Sequence, residues 1–564
     1  MEITAVSERA LRTGSARRVL WIAFALTLIA GLFCWGFGAY VAATWLFIVA
    51  AAAVALVLPP AYALVSPLFM GVVGWLVDML PLVILVGWLA VVLRWMAHLL
   101  LERRRPRGGR WVWLPLFLVF WTALGAVAVT ADGIKHFVLL LGVQVLISAT
   151  LLLIVDSLSG PEARAQVVAA LLAYVCVLSG GVFLEWVGVP VQALQDSTAR
   201  LVLESAYGLD AFPNSMGMIK FTRSSRTGLE DLRSTIEAIA NRNAGFPAYI
   251  AFKPRYHAYQ NYNVIRFEGS ARRYESVLER HQIHLIFDNV ALAPANTVPR
   301  MRSFPRNALT YAGACAALFP FALFLVYSEE GRRKWLGRAG VAAALFGAGF
   351  SLSRGAWVAS LLAVLYLVAD GVINRRQKAL AALSLVGGLL VLVLVFFAVY
   401  RVSPFNARLG AEGSTATRET VYRDTVKNVG GLHYIVGYGT ESPRTASGAT
   451  HVGGRYIPEA GTHSTYLNYF FRTGVPGAIA IMALYLIAFL HARAAAREKT
   501  GDDALFATTA AAAVIVVAAH GLLLSLYVEP IYTLVVSCVV GLAMASAAGL
   551  RRSVWPWRTT ERRG

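Results

Sequence analysis

Residues 19–58 read VLWIAFALTLIAGLFCWGFGAYVAATWLFIVAAAAVALVL, forty positions without one charged side chain. A helix needs about 20 apolar residues to cross the hydrocarbon core of a bilayer. This stretch is long enough for two such helices, meeting near Gly38-Ala39. Arg17 and Arg18 stand before it as in a signal peptide, but apolar character runs on to Leu58, so an uncleaved first span is expected. The same texture continues along the chain. Of 564 residues, 58% are hydrophobic and 15% are charged, and the mean hydropathy is +0.61. Soluble domains carry about 25% charged residues. This chain cannot cover itself with water-facing side chains. The composition excludes an ordinary cytosolic enzyme, a disordered protein, a coiled coil and a disulfide scaffold. It predicts an all-α polytopic membrane protein.

Fourteen spans are expected, at 19–38, 40–58, 61–77, 80–101, 111–130, 134–156, 166–189, 307–327, 339–352, 355–370, 379–400, 466–490, 504–527 and 531–549. Charge tests the map, because Lys and Arg near span ends collect on the cytoplasmic side. With the N-terminus inside, the inner loops hold Arg103, Arg104, Arg105, Arg107 and Arg110; Arg332, Arg333, Lys334 and Arg338; Arg375, Arg376 and Lys378; and Arg493, Arg497 and Lys499. The short outer turns hold almost none. Both termini are therefore expected in the cytoplasm. Anchoring loops also account for much of the +20 net charge, so no nucleic-acid partner is expected. Cys34, Cys176, Cys315 and Cys538 all lie in apolar runs and form no CxxC pair, as structural thiols do.

These boundaries divide the chain into an N-terminal bundle of about seven spans (1–189), an outer insert (190–306), helices at 307–400, an outer loop (401–465), C-terminal helices (466–549) and a basic cytoplasmic tail (550–564). The insert reads as a small periplasmic α/β unit. Thr227-Gly-Leu-Glu230 is a capping-box pattern opening a helix over 227–241. Ala248–Phe252 and Tyr262–Phe267 read as strands, Ala271–His281 as a second helix and Ile283–Phe287 as a third strand. Its net charge of +5 and its tyrosines suit sugar rings and phosphates, or it packs on the membrane domain and does no chemistry.

Charged groups at the membrane are costly and draw attention to function. Arg354, in Ser353-Arg354-Gly355-Ala356, sits at the outer junction of two apolar runs, against the positive-inside bias. It is either a snorkelling side chain or an anion site, since a guanidinium fork matches phosphate oxygens. Arg418 opens a short helical pattern that ends at Gly437-Tyr438-Gly439; the alternative is an exposed Arg paired with Glu419 or Asp424. His463 falls where the twelfth span begins, with Thr462 as the expected cap and Tyr466, Leu467 and Phe470 on its face. In a first helical turn the dipole disfavours imidazolium by about 0.3–1 kcal/mol. A neutral imidazole is what a general base needs, although an interfacial His bonded to backbone fits the same spacing. Together, two fixed cations and a neutral base describe a site for a pyrophosphate leaving group and a hydroxyl nucleophile.

These blocks resemble the O-antigen ligase and O-antigen polymerase family of bacterial envelope glycosyltransferases. Ser353-Arg354-Gly355-Ala356 comes first, then Arg418 with Tyr422 and the Gly437-x-Gly439 turn, then His463-Ser464-x-Tyr466-Leu467 leading to Gly474-Val475-Pro476-Gly477. Ser464 stands where the family commonly has Asn. The resemblance covers about the C-terminal 40% of the chain. It implies a fold of the lipid-sugar glycosyltransferase C type in the bacterial inner membrane. It also implies an undecaprenyl-pyrophosphate-linked glycan donor and a periplasmic hydroxyl acceptor on a glycan or a lipid A core. Transfer would be inverting, without metal or other cofactor, with other polysaccharide-assembly proteins as partners. It assigns Arg354 and Arg418 to the pyrophosphate and His463 to the base, with Ser353, Tyr422, Glu459 and Tyr466 as supporting residues. The insert is not part of the common pattern.

Polymerase and ligase differ only in the acceptor, and the motifs do not separate them. Many spans and a basic, Tyr-rich insert favour a polymerase holding a growing chain. A transfer to a protein hydroxyl is a further alternative. A lipid-linked sugar flippase would instead carry charges within its spans, lining a cavity.

Overall fold

The computed structural model describes residues 14–36, 40–76, 80–106, 113–129, 134–158, 160–186, 308–328, 331–351, 353–370, 422–423, 426–427, 429–439, 464–523 and 529–547, with six strands between 217 and 456. Among these residues the helices are α1 (Gly14–Gly36), α2 (Tyr40–Val57), α3 (Pro60–Leu76), α4 (Leu80–Glu102), α5 (Trp113–Leu124), α6 (Ile134–Ser157) and α7 (Pro161–Trp186). After the insert come α8 (Ala308–Ser328), α9 (Gly331–Phe350), α10 (Arg354–Ala369), the single turn α11 (His433–Val436), α12 (Thr465–Glu498), α13 (Gly501–Leu523) and α14 (Pro530–Ser546). Thirteen expected spans coincide with a helix; the one at 379–400 lies outside the described residues.

Among the described residues, six helical stretches are long and apolar enough to cross a membrane, namely Leu82–Glu102, Leu140–Ser157, Pro161–Leu184, Leu309–Ser328, Thr465–Glu498 and Gly501–Leu523, and six shorter apolar helices accompany them. In lipid every backbone N–H and C=O must be satisfied within the segment, and the helix does that locally. The outward faces agree: Ile29, Phe33, Trp45, Leu100 and Phe120 are all exposed, as side chains facing acyl chains would be. Apolarity underestimates some helices. α9 starts at Gly331, not 339, because its basic first turns are helical too. α12 runs on to Glu498 through Arg493 and Arg497. Hydropathy marks where lipid ends, whereas helix length follows backbone bonding.

Close approach of helices rests on small residues. α13 buries Ala507, Ala510, Ala511, Ala512 and Ala513 completely or nearly so. It packs against α8, α10, α12 and α14, at the centre of the C-terminal bundle. α1 to α4 form a satellite core around Phe47, Met70 and Val83.

Polar groups tie the helix ends. The Pro59-Pro60 pair ends α2, and Arg94 Nη1 donates to the freed carbonyls of Leu58 (2.6 Å) and Ala55 (3.1 Å). The buried Asp156 carboxylate accepts from both terminal nitrogens of Arg104 (2.6 and 2.8 Å) and from Trp95 Nε1 (2.9 Å). Asp156, with Glu102 second, pushes the Arg104 guanidinium further above its usual range. Arg164 donates to Asp503 at 2.7 Å and lies over the Phe506 ring, and Arg333 pairs with Glu162. The ends of α4 and α6 and the starts of α7, α9 and α13 therefore gather at one end of the bundle, which is the end rich in Lys and Arg.

Of the insert, four strands pair antiparallel in the order β2-β3-β1-β4: β1 (Gly217–Thr222), β2 (Ala248–Ala251), β3 (Tyr262–Phe267) and β4 (Asp288–Ala293). Ile265 stands opposite Ile219 on one side and Ile250 on the other. The helices expected at 227–241 and 271–281 and the strand expected at 283–287 lie outside the described residues. β5 (His451–Val452) and β6 (Arg455–Tyr456) make a two-residue ladder.

Candidate functional site

The first block turns the chain from α9 into α10. Ser353 is extended (φ −91°, ψ 99°) and caps α10, its Oγ accepting from Ala356 N at 3.4 Å. Ser351 Oγ donates to Ala348 O (2.8 Å) and accepts from Ser353 N (3.3 Å), and Trp357 Nε1 closes the turn on the same Ala348 carbonyl at 2.6 Å. Arg354 is thereby the first residue of α10. A cation at a helix start opposes the dipole.

The third block begins α12, and here the structure corrects the sequence. The helix starts at Thr465 with Ser464 (φ −143°, ψ 129°) as its N-cap, not Thr462. The described helix thus opens two residues after His463 in the sequence. The apolar run begins at Tyr466, after three hydroxyl residues of similar capping type. Ser464 Oγ makes no bond to its own helix but reaches Gly521 O at 3.5 Å. Tyr466 OH donates to Ala518 O at 2.9 Å. His463, Glu459 and Arg418 lie outside the described residues.

From the second block, Tyr422 is half-buried and helical, and its OH donates to Leu522 O at 3.4 Å. Three partners thus meet on the last two turns of α13. Gly355 of the first block belongs there too: a Cβ on it would stand 3.4 Å from Leu523 Cβ and 3.8 Å from His520 Cδ2. The described neighbours of Arg354, Arg418 and His463 all reach α13 between Ala518 and Leu523. At the other end of α13 Asp503 holds Arg164. Eighteen residues of helix separate the two places, about 27 Å at 1.5 Å per residue. The blocks gather at the end of the bundle opposite the Lys- and Arg-rich one.

The glycines of blocks two and three belong to one joint. α12 breaks at Gly474 (φ 68°), and Pro476 opens its second part. The break frees the carbonyls of the preceding turn. Tyr438 N donates to Phe471 O at 2.8 Å, Gly439 N to Arg472 O at 2.9 Å, and Trp121 Nε1 to Thr473 O at 2.9 Å. Gly437 and Gly439 have φ of 71° and 66°, and a Cβ at either would overlap its neighbours. The Gly-x-Gly turn thus plugs the helix break, and His433, Tyr438 and Phe471 stack above it with centroid spacings of 3.9 and 4.7 Å.

Sequence reading passed over several residues at this end. Arg472 is buried at the break, Thr465 lies beside Gly521, and His520 is wholly buried inside α13. His520 was detectable, because an ionisable residue within a span asks for a reason. A cavity between α6, α12 and α14, lined by Thr465, Tyr469, Tyr485, Tyr532 and Ser537 among others, lies directly below the start of α12.

The chain matches no curated protein. Residues 339–482, which include all three blocks, match the family model described as O-Antigen ligase. The segment from the second half of α9 to the middle of α12 is thus similar to the O-antigen ligase family, over about a quarter of the chain.

Proposed function

We propose that the protein polymerises undecaprenyl-pyrophosphate-linked oligosaccharide repeats at the periplasmic face of the inner membrane, forming O-antigen or exopolysaccharide. His463 removes the proton from the acceptor hydroxyl. Arg354 and Arg418 bind the diphosphate of the donor and stabilise the charge that develops as it leaves. The hydroxyl oxygen bonds to the anomeric carbon, the bond to the diphosphate breaks, and the configuration inverts. No metal is invoked, because two guanidinium groups carry the leaving charge. Ser353 and Tyr422 hold the blocks, Glu459 orients the base, and Tyr466 anchors the start of α12. The observation that carries this reading is the meeting of all three blocks at one end of α13, opposite the basic end. Both termini are then cytoplasmic, and 190–306 is a periplasmic insert beside the acceptor.

A second reading is a ligase that transfers the finished glycan to a lipid A core sugar. The similarity of residues 339–482 to the O-antigen ligase family favours it. Deleting the gene and running the envelope polysaccharide on a gel separates the two. Single-repeat glycan on the lipid A core means polymerase, and long glycan stranded on the carrier lipid means ligase. An unchanged polysaccharide profile overturns both.

A further inference from the structure

The strands of the insert alternate in direction. β1 is antiparallel to β3 and to β4, and β2 is antiparallel to β3. In the order β2-β3-β1-β4, β1 is therefore parallel to β2, and β3 to β4, each pair split by one strand. Parallel strands cannot be joined by a hairpin and need a crossover. Crossovers in one sheet are right-handed. From β1 to β2 the chain steps one way across the sheet, from β3 to β4 it steps the other way, and β1 and β3 run in opposite directions. The two reversals together keep both crossovers on the same face, the pattern of the split βαβ unit. The other face is left open.

The register tells the faces apart. Leu292, Ile219, Ile265 and Ile250 form one row across all four strands. Strand residues alternate between faces, so Phe221 and Phe267 share this apolar side. It matches the first connection, 223–247, which carries Leu229, Leu232, Ile236 and Ile239 at helical spacing. The opposite face has another character. Met218, Arg266 and Tyr249 form one row across β1, β3 and β2, with Lys220 and Tyr262 in the rows beside it. Among the registered residues of this face the only acid is Asp288, at the margin opposite Thr222. A face that meets water alone needs no such set; Tyr, Arg and Met are the types that binding surfaces enrich.

The place of the insert in the chain adds a second argument. α7 begins at the Lys- and Arg-rich end of the bundle, where Glu162 pairs with Arg333 of α9, so it finishes at the other end. α8 stops at Ser328, just before α9 opens at that same basic end, so α8 begins at the other end too. The insert therefore leaves and rejoins the bundle at the end where the three blocks meet.

We propose that the crossovers cover the apolar face and that the opposite face binds an acidic glycan, one with carboxylates on its sugar rings, as the chain grows at the transfer site. Lys220 and Arg266 supply cations for the carboxylates, Arg266 with a planar fork that matches them. Tyr249 and Tyr262 supply flat amphipathic faces for the rings. The inference rests on the reading of the protein as a transferase of lipid-linked glycan.

The test uses the full chain in phosphatidylcholine nanodiscs, with the polysaccharide released from the cell's own envelope by mild acid as the probe. Half of the probe is carboxyl-reduced, which turns each acidic sugar into its neutral counterpart. The wild-type protein should bind the untreated glycan and lose about tenfold or more in affinity on carboxyl reduction. The double variant Lys220→Gln, Arg266→Gln should weaken binding of the untreated glycan by about tenfold. Lys220→Gln alone should weaken it about threefold, which keeps the test open should the double variant fail to fold. Arg233→Gln, which removes the same charge from the first connection, should leave binding within about twofold of wild type. A benzophenone attached at Thr222→Cys, in a background lacking the native cysteines, should cross-link the glycan. Equal binding of untreated and carboxyl-reduced glycan, wild-type binding by a folded double variant, or cross-links to lipid or to a second copy in place of the glycan overturns the proposal. So does an envelope polysaccharide without acidic sugars. If the wild-type protein binds the glycan in this way but transfers none from the carrier lipid, the transferase reading fails instead.

Discussion

At the residue scale, what matters is the kind of group and where it is held. Arg354 opens a helix at the end of the bundle away from the Lys and Arg clusters, where a simple anchoring role has least to explain it. Arg354→Lys keeps the charge and loses the planar fork. It should lower glycan transfer by about tenfold or more while the protein inserts normally, as read by polymer length on a gel beside a membrane-fraction blot. His463→Ala should abolish transfer with unchanged insertion, and transfer at wild-type rate would remove the general-base role. Arg354 and His463 draw attention in the sequence because each stands at the edge of an apolar run, and Arg418 because it opens a short helical pattern. The cap of α12 was not legible there. Thr462 and Ser464 are equally good caps by type, and the described helix opens after Ser464.

At the element scale, the break in α12 and the buried carboxylate of α6 set local geometry. Gly474 occupies a left-handed conformation that costs an L-residue about 1–2 kcal/mol even before its Cβ meets the Ile435 carbonyl. Gly474→Ala should therefore lower stability by about 2 kcal/mol or more and loosen the docking of α11, seen as a lower Tm in detergent. Arg104→Ala leaves Asp156 buried without its guanidinium partner, still accepting from Trp95 Nε1. Breaking a fully buried pair costs about 3–5 kcal/mol. Arg104 is partly exposed, so about 2 kcal/mol is expected, again as a fall in Tm. Neither feature follows from periodicity. The span around Gly474 reads as one apolar helix, and its interruption is stabilised by a turn that lies some 35 residues earlier in the chain.

At the scale of the whole molecule, α13 is a ruler with charged contacts at its start and the three blocks near its end. The orientation is testable with single cysteines in a background lacking Cys34, Cys176, Cys315 and Cys538. A cysteine replacing exposed Leu432, in the turn leading into α11, should react with an impermeant maleimide from the periplasmic side. One replacing Lys334 should react only after the membrane is opened. The reverse pattern would put the blocks in the cytoplasm and remove the periplasmic reading. The amino-acid sequence by itself determined the class of protein and the place of nearly every long helix among the described residues. A long apolar run in lipid has one local way to satisfy its backbone, and that way is a helix. Which helix end became the meeting place was decided only by the tertiary structure. Tyr422 reaches Leu522 across 100 residues and Ser464 reaches Gly521 across 57. Such pairings depend on how small residues let helices pack, a long-range property that no window of sequence contains.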